Sequence, residues 1–107
     1  MNHHFKEIST NELHFLLNNE NARIIDVRSV NAYNGWKLKN EKRGGHIQGA
    51  KSLPIKWSNY IDWIEIVRSK HIVPENALVI YSYEKEDSEK VARLFQKAGY
   101  DDVRIYN

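Results

Sequence analysis

No cysteine occurs among the 107 residues. That one absence removes disulfides, thiolate metal sites, redox switches and any sulfur nucleophile. Missing too is an apolar run near the ~20 residues that a membrane-spanning helix needs, and the first residues are polar, unlike a signal peptide. Nor does one sign of charge dominate: 16 Lys and Arg face 14 Asp and Glu, interspersed, for a formal net charge of +2. Such a surface argues against nucleic-acid and membrane partners. There is no internal repeat and no low-complexity tract. The expectation is a cytoplasmic domain with no metal and no other cofactor.

What is present is globular: 41% hydrophobic and 28% charged residues. This length suits one domain spanning residues 1–107, able to bury about two-thirds of its unfolded surface. Phe5 to Ile8 reads as a first strand. Ser9-Thr10-Asn11-Glu12 matches a capping box, in which a hydroxyl caps the helix and a Glu three residues on reaches back. A helix follows with Leu13, Leu16 and Leu17 on one face, stopped by the Asn18-Asn19-Glu20-Asn21 cluster. Arg23 to Val27 reads as a buried parallel strand between charged ends.

Residues 29–49 form a long Gly-containing stretch with Tyr33 and Trp36 as anchors against the core. Lys51 to Pro54 reads as a short strand. Trp57 to Arg68 reads as a helix with Tyr60, Ile61, Ile64 and Val67 on its inner side, and Trp57 and Trp63 read as packing residues. His3 and His4 read as a frayed terminus, while His14 and His71 have no partner set that suggests a metal.

The most informative stretch runs from Ala77 to Gly99. ALVIY is a buried strand, Ser82 ends it, YEKED follows, and Val91, Leu94, Phe95 and Ala98 then stand at the i, i+3, i+4, i+7 spacing of one helix face. Gly99 is placed to end that helix in the left-handed conformation. Val103 to Tyr106 reads as the last strand. A strand that turns directly into a helix aims backbone N–H groups at one point, where α/β proteins hold anions or stage nucleophiles. Ser82 sits at that point. Strands alternating with helices imply a parallel sheet of about five strands with helices on both faces.

Asp26-Val27-Arg28, then Gly45-His46-Ile47-Gln48-Gly49-Ala50, then Val79-Ile80-Tyr81-Ser82 with Ser88 six residues on, then Ala98-Gly99-Tyr100 and Val103 occur in an order and spacing that resemble the rhodanese-like sulfurtransferase domain. The resemblance covers about residues 5–106. The insert around Tyr33, Gly35, Trp36 and Arg43-Gly44-Gly45 looks most like members with several rhodanese domains in tandem. The resemblance implies an α/β rhodanese-like fold whose final helix is missing from this chain, making residues 1–107 an excerpt of a longer protein. It also implies a loop whose first residue is a cysteine. The cysteine thiolate takes a sulfane sulfur from a donor such as thiosulfate and passes it to a thiophilic acceptor, while loop amides stabilise the anionic sulfur.

This chain departs from that pattern where the chemistry lies. Ser82 holds the nucleophile position, Lys85 stands where glycine is common, and Asp87 where arginine is common. A hydroxyl lacks the polarizable, partly ionised sulfur that a persulfide requires. Tyr83-Glu84-Lys85-Glu86-Asp87 carries a net charge of about −2, and each unit charge ~4 Å away opposes an anion by ~1 kcal/mol even in water. The same acids also suit a helix N-terminus, with Asp87 or Ser88 as the cap. Lysine at the glycine position opposes a tight loop that needs positive φ. A hydrolase reading, with Ser82 as nucleophile, His46 as base and Asp26 as orienter, lacks the small neighbours of a G-x-S-x-G elbow. His46 reads instead as a structural hydrogen-bonder, and Asp26 with Arg28 as a structural pair. The related phosphatase class needs a cysteine and an arginine that are absent.

The degenerate active-site loop Ser82, Tyr83, Glu84, Lys85, Glu86, Asp87 and Ser88, beside the family-motif positions Asp26, Arg28 and His46, therefore suggests a segment that is inactive by itself. Its working cysteine is expected in another domain of a multi-domain sulfurtransferase, and its partners are the other rhodanese domains. Two alternatives stand: a free-standing inactive module that meets a basic protein partner through the acidic loop, and an active enzyme whose cysteine was engineered to Ser82.

Overall fold

The computed structural model describes residues 5–18, 21–29, 47 and 49–106. His3, His4, Tyr33, Gly35, Trp36, Arg43-Gly44-Gly45 and His46 lie outside the described residues. The elements run β1 (Lys6–Ile8), α1 (Thr10–Leu17), β2 (Ala22–Asp26), β3 (Lys51–Ser52), a 3-10 turn (Ile55–Asn59), α2 (Trp63–Ser69), β4 (Ala77–Tyr81), α3 (Lys85–Lys97) and β5 (Val103–Tyr106). The five strands form one parallel sheet in the order β1-β5-β4-β2-β3.

Side-chain alternation along the central strands divides the core in two, as parallel strands covered on both faces require. Ile24, Val79 and Tyr81 face α1 and pack with Leu13 and Leu16. Ile25, Leu78 and Ile80 face α2 and α3 and pack with Trp63, Val67, Val91 and Phe95. On that second face three rings link separate segments. Phe95 stands edge-on to Trp63 and to Tyr100, with centroids 5.0 Å apart in each pair, and the Tyr100 hydroxyl donates to the Ile72 carbonyl at 2.6 Å.

The capping box is formed at the start of α1: Ser9 Oγ accepts from Glu12 N at 3.1 Å, and Ser9 N donates to Glu12 Oε1 at 3.3 Å. Gly99 has φ +98 and closes α3; a Cβ there would meet nothing within 4 Å, so conformation rather than space selects glycine.

Several expectations are corrected. Leu17 is 39% exposed and leaves the inner face of α1 to Leu13 and Leu16. The helix expected over Trp57 to Arg68 is two pieces. Pro54 starts the 3-10 turn, Ser58 Oγ takes the Ile55 carbonyl at 2.6 Å, and Tyr60 adopts extended backbone, so the helical ladder restarts only at Trp63. The break turns Tyr60 and Ile61 outward, with Ile61 fully exposed at 104%. Trp63 is buried and Trp57 half-buried. The strand expected over Lys51 to Pro54 is paired only at Lys51 and Ser52, although Leu53 N still reaches Asp26 O at 2.8 Å.

Candidate functional site

The carboxyl ends of β2 and β4 lie side by side, with Asp26 in register with Tyr81 and Val27 N donating to Tyr81 O at 3.1 Å. Parallel strands put their C-terminal ends and following loops on one rim, which is where open α/β sheets place sites. Ser82 follows directly.

Beneath Ser82 is a closed polar network. Asp26 is wholly buried. Its Oδ1 accepts from Arg28 N at 2.9 Å and Arg28 Nε at 3.0 Å, and its Oδ2 accepts from Arg28 Nη2 at 2.7 Å and the Tyr81 hydroxyl at 2.9 Å. Such bidentate, charge-assisted bonds are the strong ones in proteins. Arg28 Nη1 donates on to the Tyr83 hydroxyl at 3.1 Å, and Ile47 N donates to the Tyr81 hydroxyl at 3.1 Å. The guanidinium carbon also lies 5.4 Å from the Tyr81 ring centroid and 4.9 Å from that of Tyr83, within cation–π range. Hydrogen bonding to Asp26 holds the Arg28 guanidinium even more firmly protonated than usual. Burial pushes the Tyr81 hydroxyl well above the ordinary tyrosine range, so it stays a neutral donor.

The residues on either side of Ser82 are thus both tied to Arg28. The network positions the turn, and Asp26 bonds to Arg28 and Tyr81. The sequence pairs Asp26 with Arg28 and puts Tyr83 in the loop, but it does not join Tyr81 or Tyr83 to that pair. The available signal was a tyrosine at the end of an otherwise apolar, wholly buried strand, since a buried hydroxyl needs a partner.

Above the network the turn is short. Only Ser82, Tyr83 and Glu84 separate β4 from α3, because the helix already begins at Lys85. The expected seven-residue loop is therefore corrected: Lys85, Glu86, Asp87 and Ser88 are helical, and neither Asp87 nor Ser88 is the cap. Glu84 occupies that position without a side-chain capping bond. Lys85 and Glu86 are good helix formers, and the amides of Asp87 and Ser88 are taken by the Glu84 carbonyl at 3.1 and 3.4 Å. Ser88 is buried, and its hydroxyl has no partner among the described residues. Ser82 is half-buried.

The charges divide likewise. Lys85 Nζ donates to Glu7 Oε2 at 3.1 Å, and that bond raises its pKa. Among the described residues, no group of three or more His, Cys, Asp and Glu side chains is placed to hold a metal ion, and no helix is long and apolar enough to cross a membrane.

A strand-ending nucleophile position above an Asp-Arg network, on a β1-β5-β4-β2-β3 parallel sheet, defines a class. The rhodanese-like domain family matches residues 9–107, and the chain belongs to it. Among solved structures the chain is similar to EanB. The wild-type structure shares 48% identity at a TM-score of 0.94, over 98% of this chain and 24% of that one. A complex of an EanB variant with ergothioneine shares 49% identity at 0.94, over 97% and 24%. The anaerobic ergothioneine biosynthesis enzyme from Chlorobium limicola, in complex with its natural substrate trimethyl histidine, shares 49% identity at 0.93, over 97% and 24%. This chain therefore spans about a quarter of those chains. A further EanB structure has ergothioneine covalently linked with a persulfide cysteine. A comparison with curated protein sequences finds no match.

Proposed function

We propose that this chain is a non-catalytic rhodanese-like domain of a multi-domain, cytoplasmic sulfane-sulfur transferase related to EanB, with the working cysteine in another domain. The observation that carries the reading is Ser82 at the end of β4, followed by a turn whose helix starts at Lys85 and whose first turn carries Glu86 and Asp87. Sulfur transfer from thiosulfate needs a thiolate to attack the sulfane sulfur while the S–S bond breaks and sulfite leaves with the electron pair. A serine hydroxyl supplies no such nucleophile. The helical first turn supports the reading further, because it uses amides that would otherwise stabilise an anionic sulfur. In the parent protein the domain meets the other rhodanese domains. Phe15 and Leu17 of α1, 77% and 39% exposed, are apolar groups suited to such a contact.

The test compares this chain with its Ser82→Cys variant, using thiosulfate as donor, a thiol as acceptor, and mass spectrometry to detect one added sulfur atom. Neither protein is expected to accumulate a persulfide or to turn over. Robust turnover by Ser82→Cys would sink the claim that the turn itself has lost the chemistry, and would favour a cysteine engineered to serine. In the parent protein, replacing the cysteine of another domain is expected to abolish transfer while Ser82→Ala leaves it intact.

A second reading rests on the exposed carboxylates Glu84 and Glu86 with half-buried Asp87: an inactive module that binds a basic protein partner. Neutralising all three would then release one specific partner, whereas the multi-domain reading expects the domain contacts to survive.

A further inference from the structure

At the β3 edge of the sheet, a cleft of about 450 Å3 lies between β3 and the end of α2. Lys51 and Ser52 of β3 line it together with Ser69, Lys70 and His71, and each titratable side chain among these is basic. The C-terminus of a helix ordinarily presents carbonyl oxygens that repel an anion. Here three of those carbonyls are taken: Ser69 Oγ donates to Ile66 O at 2.6 Å, Lys70 N to Val67 O at 3.1 Å and His71 N to Arg68 O at 3.0 Å. The His71 carbonyl in turn accepts from Arg23 Nε at 3.2 Å.

Two further features prepare the cleft. Lys70 Nζ lies 5.6 Å from the Trp57 ring centroid, which restrains a long, otherwise mobile side chain. His71 has φ 61, the left-handed region where glycine is the low-cost residue after a helix, yet the position carries an imidazole.

We propose that this cleft binds a small tetrahedral oxyanion of the phosphate or sulfate type, free or as the end group of a small ester. Lys51 and Lys70 supply the charge, and His71 supplies a directed hydrogen bond. The Ser82 turn, with Glu86 and Asp87 in the first turn of α3, disfavours the same ligand.

The probe is inorganic phosphate, titrated into the chain at constant ionic strength while backbone amide resonances are followed by NMR, with glycerol 3-phosphate as a parallel arm. Saturable shifts are expected at Lys51, Ser52, Lys70 and His71, with the amides of Tyr83 to Asp87 unmoved. Lys51→Gln with Lys70→Gln should weaken the midpoint at least tenfold. The single variant Lys51→Gln, at a half-buried position on an edge strand, carries the test if the double variant does not fold. Tighter binding of the ester assigns the site to an end group, and tighter binding of phosphate to the free ion. Shifts that never saturate, that chloride reproduces, or that survive unchanged in the lysine variants overturn the proposal.

Discussion

Two layers of one rim behave in opposite ways. Below Ser82, the buried Asp26 carboxylate, the Arg28 guanidinium and the Tyr81 hydroxyl satisfy one another. Above it, Glu84 and Glu86 stand exposed around a turn that has contracted into a helix. The lower layer fixes where a strand ends and which way the chain turns, so its loss costs folding. The upper layer is where chemistry would lie, so a change there costs activity rather than folding. On the proposed non-catalytic reading, the domain keeps the demands of its fold while shedding those of a reaction.

That contrast can be broken most forcefully from below. Asp26→Ala leaves a buried guanidinium without its counter-charge and should cost about 3–5 kcal/mol, read as a lower urea midpoint at unchanged slope. Adding Arg28→Leu should recover part of that loss, and no recovery would mean that the pair is not the cause. Tyr81→Phe removes one donor to Asp26 and one acceptor for Ile47 N, for about 1–3 kcal/mol.

The same tyrosine gives a pH signature. Its folded pKa lies above the ordinary value of about 10, so the folded state retains a proton that the unfolded state releases. Stability should hold below about pH 10 and fall as pH rises beyond it. Burial raises Tyr100 as well, so the fall should shrink in Tyr81→Phe and shrink further with Tyr100→Phe added. An equal fall in the double variant would remove both tyrosines from the account.

At the edge of the sheet, His71→Gly should stabilise the fold by about 0.5–1 kcal/mol by relieving the left-handed backbone, while weakening phosphate binding. The smallest effect belongs to the upper layer: Lys85→Gln, which breaks an exposed pair with Glu7, should leave the thermal midpoint unmoved within error. A clear drop would show that the first turn of α3 is structural after all.

Much of this was legible in the residues. The capping box at Ser9, the continuous apolar run of Ala77 to Tyr81 and the left-handed Gly99 are local signals whose meaning does not depend on distant contacts. Errors arose where two local tendencies compete. Trp57 to Arg68 has a helical period, but Pro54, the Ser58 side-chain bond and the extended Tyr60 divide it. Lys85 to Ser88 reads equally as loop or as helix start, and the helix prevails with Lys85 and Glu86 as good helix formers and with Glu86 and Asp87 as acids in the first turn. The bonds from Tyr81 to Asp26 and from Arg28 to Tyr83 each span 55 residues, a separation that periodicity cannot register.

The strand order carries a consequence for synthesis. Among the described residues β1 pairs with β5 alone, so Lys6 finds its partner Arg104 only when nearly all of this domain exists. As the polypeptide leaves the ribosome, β2 and β4 can join well before that moment, while β1 waits beside an unfinished edge. The opening strand is thus the last to be clasped, and nascent chains arrested short of Val103 should protect the β2–β4 amides from exchange while leaving those of β1 open.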